Sequence, residues 1–196
     1  QGTKIVKLAE KIGAPITSTF RGKNIVDASE PLYMGCHGGL GSTASAKLME
    51  KADLLIAVGS SFSDLTRVPQ KRTIQIEINP LMVARRYPVE VALLGNSAVL
   101  IPKLTAKVTQ KNNSSYLTEA TKLKQTWLNQ LEKEADPTMK PIRPPYIIKV
   151  LNEKIADDAV ISLDVGENGW WFGRNFQMKK TQKFIMSGTL ATMGFG

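Results

Sequence analysis

The chain has 196 residues, 42% of them hydrophobic and 22% charged, with a net charge of +9 and one cysteine, Cys36. That length holds one large domain or two small ones; a lone cysteine excludes an internal disulfide, and no Cys/His cluster is present to hold structural zinc. No apolar run approaches the roughly 20 residues that cross a bilayer and no signal-peptide pattern opens the chain, so the sequence predicts a cytoplasmic protein with no membrane span. Its basic residues are spread from Lys4 to Lys183 without a dense run, and aromatics are not interleaved with them as in single-strand binders. No nucleic-acid partner is predicted.

Ile5, Leu8, Ala9 and Ile12 fall at i, i+3, i+4 and i+7, one face of a helix over residues 3–12. Gly13 and Pro15 stop it, and residues 16–19 read as a short strand ending in the polar turn Arg21-Gly22-Lys23. A helix as first element is odd for an α/β alternation. The pattern predicts a piece of a longer protein, without the strand that should precede that helix.

A glycine cluster (Gly35, Gly38, Gly39, Gly41) then opens onto a helix, Thr43 to Lys51, and an apolar strand, Leu54 to Val58. That strand ends abruptly at Gly59 and the turn Ser60, Ser61, Ser63, Asp64. A second apolar run, Ile74 to Ile78, carries Glu77, and a third, Val89 to Leu94, closes at Gly95-Asn96. Ser97 is the expected cap of a helix through Leu104 that Pro102 should distort. Short uninterrupted apolar strands between helices predict an α/β fold with an open parallel sheet covered on both faces.

The polar stretch Lys111 to Ser115 breaks this pattern. The next helix places Ala120, Leu123, Trp127 and Leu131 on one face, a packing stripe, and Asp136-Pro137, Pro141, Pro144 and Pro145 follow. Residues 109–140 therefore read as a helical and proline-rich linker between a first domain, 1–108, and a second, 141–196. In the second, a helix carries Ile147, Ile148, Leu151 and Ile155, and strand Val160 to Leu163 ends in Asp164-Val165-Gly166-Glu167-Asn168-Gly169. Another strand, Lys183 to Met186, leads to Ser187-Gly188. A small-residue helix is only beginning at Gly196, so this second domain is expected to be incomplete.

Glycine turns at the ends of buried strands are where α/β proteins place phosphates and ribose rings. The Gly35–Gly41 loop with His37 is either a backbone that approaches a cofactor closely or a plain turn before a helix. Gly59 opens a one-glycine turn, unlike the dinucleotide fingerprint, so a standard NAD site is not expected. Glu77 lies 18 residues beyond Gly59, near the ~20 expected of a ribose-binding carboxylate. His37 has no evident Ser or Cys partner for a hydrolytic triad, and Cys36 reads as a small buried residue. The Asp164–Asn168 turn either offers N–H groups to a diphosphate or merely leaves the sheet; Asp164 alone makes no metal site.

Together the segments KLAEKIGAPITSTFRGK, YMGCHGGLGS, KADLLIAVGSSFSD, IQIEINP and VALLGN, followed by SLDVGENGWW and SGTLATMGFG, resemble the thiamine-diphosphate enzymes of the acetolactate synthase and pyruvate oxidase family over essentially the whole chain. The resemblance implies a Rossmann-like, sirtuin-like central domain at 1–108 and the opening of the diphosphate-binding domain from 141. It implies FAD contacts at Arg21, Gly22, His37, Gly38, Gly59, Ser60, Phe62, Arg67, Glu77, Ile78, Gly95 and Asn96. Glu77 and Asn96 stand where aspartates are usual, and some relatives bind ADP there or nothing. Thiamine-diphosphate contacts are implied at Val165, Gly166, Glu167, Asn168, Ala191 and Met193, the methionine favouring the bent cofactor.

No catalytic residue is expected within the chain. The activating glutamate is implied in a preceding domain, the magnesium ligands beyond Gly196, and the piece alone should be inert. The implied substrate is pyruvate or another 2-oxo acid, decarboxylated with carboligation or oxidation, in a homodimer or homotetramer. The cofactor supplies the chemistry, and the protein controls what captures the carbanion. A decarboxylase of another 2-oxo acid or an acyl-CoA with ADP in the central domain, and a non-enzymatic nucleotide-binding module, stay open beside it.

Overall fold

A computed structural model describes residues 1–111, 114–188 and 191–196. The first helix, α1 (Gly2–Ile12), ends at Gly13, whose left-handed φ of 63° suits a residue without a Cβ. Strand β1 (Ile16–Ser18) follows and pairs in parallel with β2 (Tyr33–Cys36). After α2 (Thr43–Lys51) come β3 (Leu54–Val58), β4 (Arg72–Glu77) and β5 (Val91–Leu94), a parallel sheet in that order with Ile56 opposite Ile74 and Ile76 opposite Leu93. Helices α3 (Ser97–Lys107), α4 (Ser114–Glu134) and α5 (Pro144–Lys154) lead to β6 (Val160–Leu163), α6 (Glu167–Asn175) and β7 (Lys183–Met186), with β6 and β7 again parallel. The α/β class and parallel sheets agree with the sequence reading.

Strand β2 differs from that reading, which places a glycine loop from Gly35. All four residues of Tyr33–Cys36 are buried, so no polar alternation marks the strand. Gly35 sits inside it with φ 84°, and a Cβ there would lie 2.9 Å from the Trp127 ring and 3.0 Å from Ser42 Cβ. Trp127, 2% exposed, belongs to α4, which packs along α2 through a cluster of Met34, Leu48 and Ala120. The residues Asn112 and Asn113 of the expected polar break, and Thr189 and Leu190 of the SGTLATMGFG segment, lie outside the described residues.

Helix α1 lies over both central sheets. Ala9 joins Ile16, Val26 and Tyr33 on the β1–β2 side; Leu8 joins Ile76 and Ile101 on the β3–β4–β5 side. It also solves a problem in α3. The cap is Asn96, not Ser97, because its extended backbone lets Oδ1 accept from Ala98 N at 2.8 Å. Pro102 stands inside the helix without ending it. A proline lacks the N–H that would bond the carbonyl four residues back, here Ala98, and Lys4 Nζ of α1 donates to that carbonyl at 2.9 Å. One turn from the other end, Lys11 Nζ donates to Thr105 O at 2.8 Å.

Replacing Lys4 by Met should therefore destabilise the chain by about 0.5 kcal/mol, the low end for a single hydrogen bond, because this one is exposed to solvent. In a Pro102→Ala background, where the backbone supplies its own donor, the same replacement should have little effect. A double-mutant cycle in urea checks this, and additive single-site effects would contradict it.

Candidate functional site

Parallel strands bring their carboxyl ends to one rim. At the rim of the larger sheet, Gly59 N donates to Ile76 O and Gly95 N to Glu77 O, so Gly59, Glu77 and Gly95 stand in a row after β3, β4 and β5. Gly59 has φ 60°, and nothing lies within 4 Å of where its Cβ would be, which leaves its backbone open to close approach. Glu77 is buried, and its Oε1 accepts from Ile78 N (2.9 Å) and Asn79 N (3.0 Å). Ile78 is exposed, and the Asn96 side chain serves as the cap of α3.

The loop after β3 folds back over the loop after β2. Gly39 N donates to Leu65 O at 3.2 Å, and a side chain at Gly38 would collide with that same carbonyl. His37 is held from both sides, Nδ1 by Ser45 Oγ (3.1 Å) and Nε2 by Arg67 O (3.3 Å). Burial pushes its pKa below the ordinary histidine value, with the Arg67 carbonyl opposing. Two residues of the covering loop, Phe62 and Arg67, have φ near +50°, a conformation of order 1–3 kcal/mol uphill for a side chain and concentrated at functional sites. Phe62 N is bonded to Ser60 Oγ, and the Phe62 ring packs edge-on against Tyr87.

Arg21 and Gly22 lie apart from this row. Gly22 N is tied into the short turn after β1 by Thr19 Oγ1, and the Arg21 side chain lies against Gly188, beyond β7. The structure thus brings His37, Gly38 and Arg67 together and sets Gly59, Glu77 and Gly95 side by side. Arg21 it places at the border with the second unit.

In that second unit, Asp164 follows β6 and α6 begins after Gly166, whose φ is 137° and whose open side, among the described residues, faces Asn168 Oδ1 at 3.1 Å. Asn168 Nδ2 donates to Asp164 O. Both Asp164 carboxylate oxygens accept from Gly194 N (3.0 and 2.9 Å), and one accepts from Val165 N (2.7 Å). These backbone bonds hold the Asp164 carboxyl below the usual carboxylate range. Asp164 therefore latches the 191–196 turn, with Ala191 in the left-handed region and Met193 exposed, beside Val165–Asn168. In the sequence Asp164 reads as part of a turn offering N–H groups and as a lone carboxylate too few for a metal site; its role as an acceptor for the 191–196 turn has no motif that would reveal it. Among the described residues no group of three or more His, Cys, Asp or Glu could hold a metal ion.

The open backbone at Gly166, and nothing within 4 Å of a Cβ at Gly169, fit a phosphate-bearing group on the first turn of α6. The bare Gly59 turn fits a nucleotide portion. At Gly38, by contrast, the covering loop already occupies the approach.

The family model described as "Thiamine pyrophosphate enzyme, central domain" matches residues 2–104. Over 98% of its length the chain is 36% identical to the putative thiamine pyrophosphate-containing protein YdaP of Bacillus subtilis. It is 29% identical, again over 98%, to the probable acetolactate synthase large subunit of Methanocaldococcus jannaschii, and 29% identical over 93% to the acetolactate synthase isozyme 2 large subunit of Escherichia coli. The chain spans about a third of the length of these relatives, 34%, 34% and 33% respectively.

His37 is the one histidine of the sequence, so its depressed pKa has a readable consequence. Between its folded value and the ordinary value of about 6.5, the unfolded chain binds more protons than the folded one, and stability rises with pH. The urea midpoint should fall as pH is lowered from 7 to 5.5, and His37→Gln should flatten that dependence. An unchanged slope in the variant would show that His37 does not titrate in this way.

Proposed function

The chain belongs to the thiamine pyrophosphate enzymes through their central domain, and from that premise we propose that it is part of an acetolactate synthase-like carboligase acting on pyruvate. The observation that carries this reading is the match, over nearly the whole chain, to proteins named acetolactate synthase large subunits. Thiamine diphosphate, when bound with Mg2+, supplies the decarboxylating chemistry as an electron sink.

The chain's own residues bind and orient. Val165, Gly166, Glu167 and Asn168 present the first turn of α6 to the diphosphate; its N–H groups and positive dipole end favour that charge. Met193, brought beside them by Asp164, supports the cofactor's bent form, and Ala191 contributes backbone. In the central domain Gly59, Ser60, Phe62, Glu77, Ile78, Gly95 and Asn96 form the bed for FAD. His37 and Arg67, bonded to each other, close one side, with Gly38 under the same cover. Arg21 and Gly22 lie on the side facing the second unit. The protein acts as a homodimer or homotetramer.

A second reading, oxidation of pyruvate, rests on the Ala191-Thr192-Met193 segment, which resembles pyruvate oxidases. The full-length protein discriminates. Absorbance and release of bound molecules should give FAD and thiamine diphosphate, and pyruvate should yield acetolactate without an electron acceptor. Turnover that requires an acceptor would favour the second reading. Release of ADP, or of no nucleotide, would overturn the FAD assignment.

Two variants test the beds separately. Gly166→Val should weaken thiamine-diphosphate binding at least tenfold, since a β-branched residue is strained at φ 137° and would stand on the diphosphate side. Glu77→Ala should lower FAD occupancy without changing thiamine-diphosphate affinity, as read by cofactor titration of each purified variant.

A further inference from the structure

Lys23 breaks the rule that buried charges carry partners. It is 2% exposed, and none of the ion pairs among the described residues includes it. Its Nζ donates to Gly173 O at 3.0 Å and lies 4.0 Å from Cys36 Sγ. Burial pushes the amine pKa down from its ordinary value, against a smaller upward pull from Cys36.

The acceptor explains the placement. Gly173 lies in the last turn of α6, where carbonyls have no partner within the helix. The N–H that would continue the ladder, that of Gln177, is bonded instead to Asn152 Oδ1 at 2.9 Å. Lys23, from the central domain, thus caps a helix of the second unit, and an amine at a helix C-terminus also complements the dipole. Gly173 is seated on the same side: a Cβ there would lie 2.6 Å from Leu40 O and 2.9 Å from the Phe20 ring.

Capping is itself a structural role: methionine at this position would leave the Gly173 carbonyl without a donor, and a buried acceptor so stranded costs its full desolvation penalty. What the lysine also does that methionine would not is fix the position of α6 along its axis. Gly166 is seven residues from Gly173, about 10 Å of rigid helix, and a sub-ångström slide at one end reaches the other.

We propose that Lys23 is a positioning residue of the diphosphate site, setting from the central domain how far Gly166–Asn168 reach toward the cofactor. This rests on the reading that those residues face thiamine diphosphate.

The test is titration of full-length protein with thiamine diphosphate and Mg2+, followed through the fluorescence of Trp170 and Trp171 on α6, together with a urea midpoint. Lys23→Met should lower the urea midpoint, as loss of a buried hydrogen bond does, and raise the cofactor Kd about tenfold, more than a variant of equal destabilisation away from α6 does, while kcat at saturating cofactor stays within about twofold. Lys23→Gln, which keeps an N–H donor on a shorter arm, should fall between the two and decides the matter if the methionine variant does not fold. An unchanged Kd in the variants, or an affinity loss that only tracks a loss of stability, overturns the proposal. Failure of the wild-type protein to bind thiamine diphosphate would instead remove the functional reading, and this inference with it.

Discussion

The central domain depends on one helix serving two sheets. β1 pairs with β2, and β3 with β4, and among the described residues no strand ladder joins the two sheets. What joins them is α1, with Ile5 packed against both apolar clusters. A helix normally buries one stripe; here the stripe is split, Ala9 toward one sheet and Leu8 toward the other. The five residues of β3, at the edge of its sheet, are apolar, and each is only partly buried. The hydrogen bonds of Lys4 and Lys11 to α3 then fix the angle at which α1 lies, because two anchors seven residues apart leave it no freedom to roll.

That arrangement decides what the rim can do. With the sheets held side by side, the loop after β3 reaches the loop after β2, and the contacts His37–Arg67 and Gly39–Leu65 close over the gap between them. Ligands of open α/β sheets bind outside the carboxyl ends of strands, where neighbouring loops diverge. In this chain the divergence is partly covered, which leaves the bare backbone of Gly59 as the accessible part, with Gly95 in the same row and the Glu77 side chain buried between them. The left-handed backbone at Phe62 and Arg67 is the local strain that this cover carries, offset by burial of the Phe62 ring against Tyr87.

Much of this was legible in the sequence, for identifiable reasons. Strands β3, β4 and β6 announced themselves as apolar runs bounded by glycine or polar turns, and α1 by its 3.6-residue spacing. Those signals reflect burial, which the residues themselves encode. β2 was missed because Tyr-Met-Gly-Cys carries a glycine and no alternation, and the Trp127 ring that leaves no room for a side chain at Gly35 comes from almost a hundred residues away. The same holds at the site. The segments bearing Gly59, Glu77 and Gly166 could be found from spacing and resemblance, whereas the covering of Gly38, the diversion of Arg21 to Gly188 and the latch at Asp164 arise from contacts between loops. Asn96 against Ser97 as cap was a matter of one residue, which pattern does not resolve.

The joint between the two units shows why such contacts escape a motif. Phe20 leaves β1 and inserts its ring among Phe172 and Phe184, edge-on to both, so the apolar cluster of the second unit includes a residue of the first. Arg174 is gripped at the same helix by Glu134, with Nη2 2.8 Å from Oε1 and the other nitrogen bonded as well. That pair is partly buried and bidentate, the geometry in which an ion pair contributes most. Helix α6 is thus fixed by the central domain on one flank and by α4 on the other. Its amino end remains the side without such ties, where Gly166 and Gly169 leave the backbone open. A helix anchored at one end holds the backbone at its other end in place, so what approaches Gly166 meets fixed N–H groups beside the Glu167 carboxylate of the first turn.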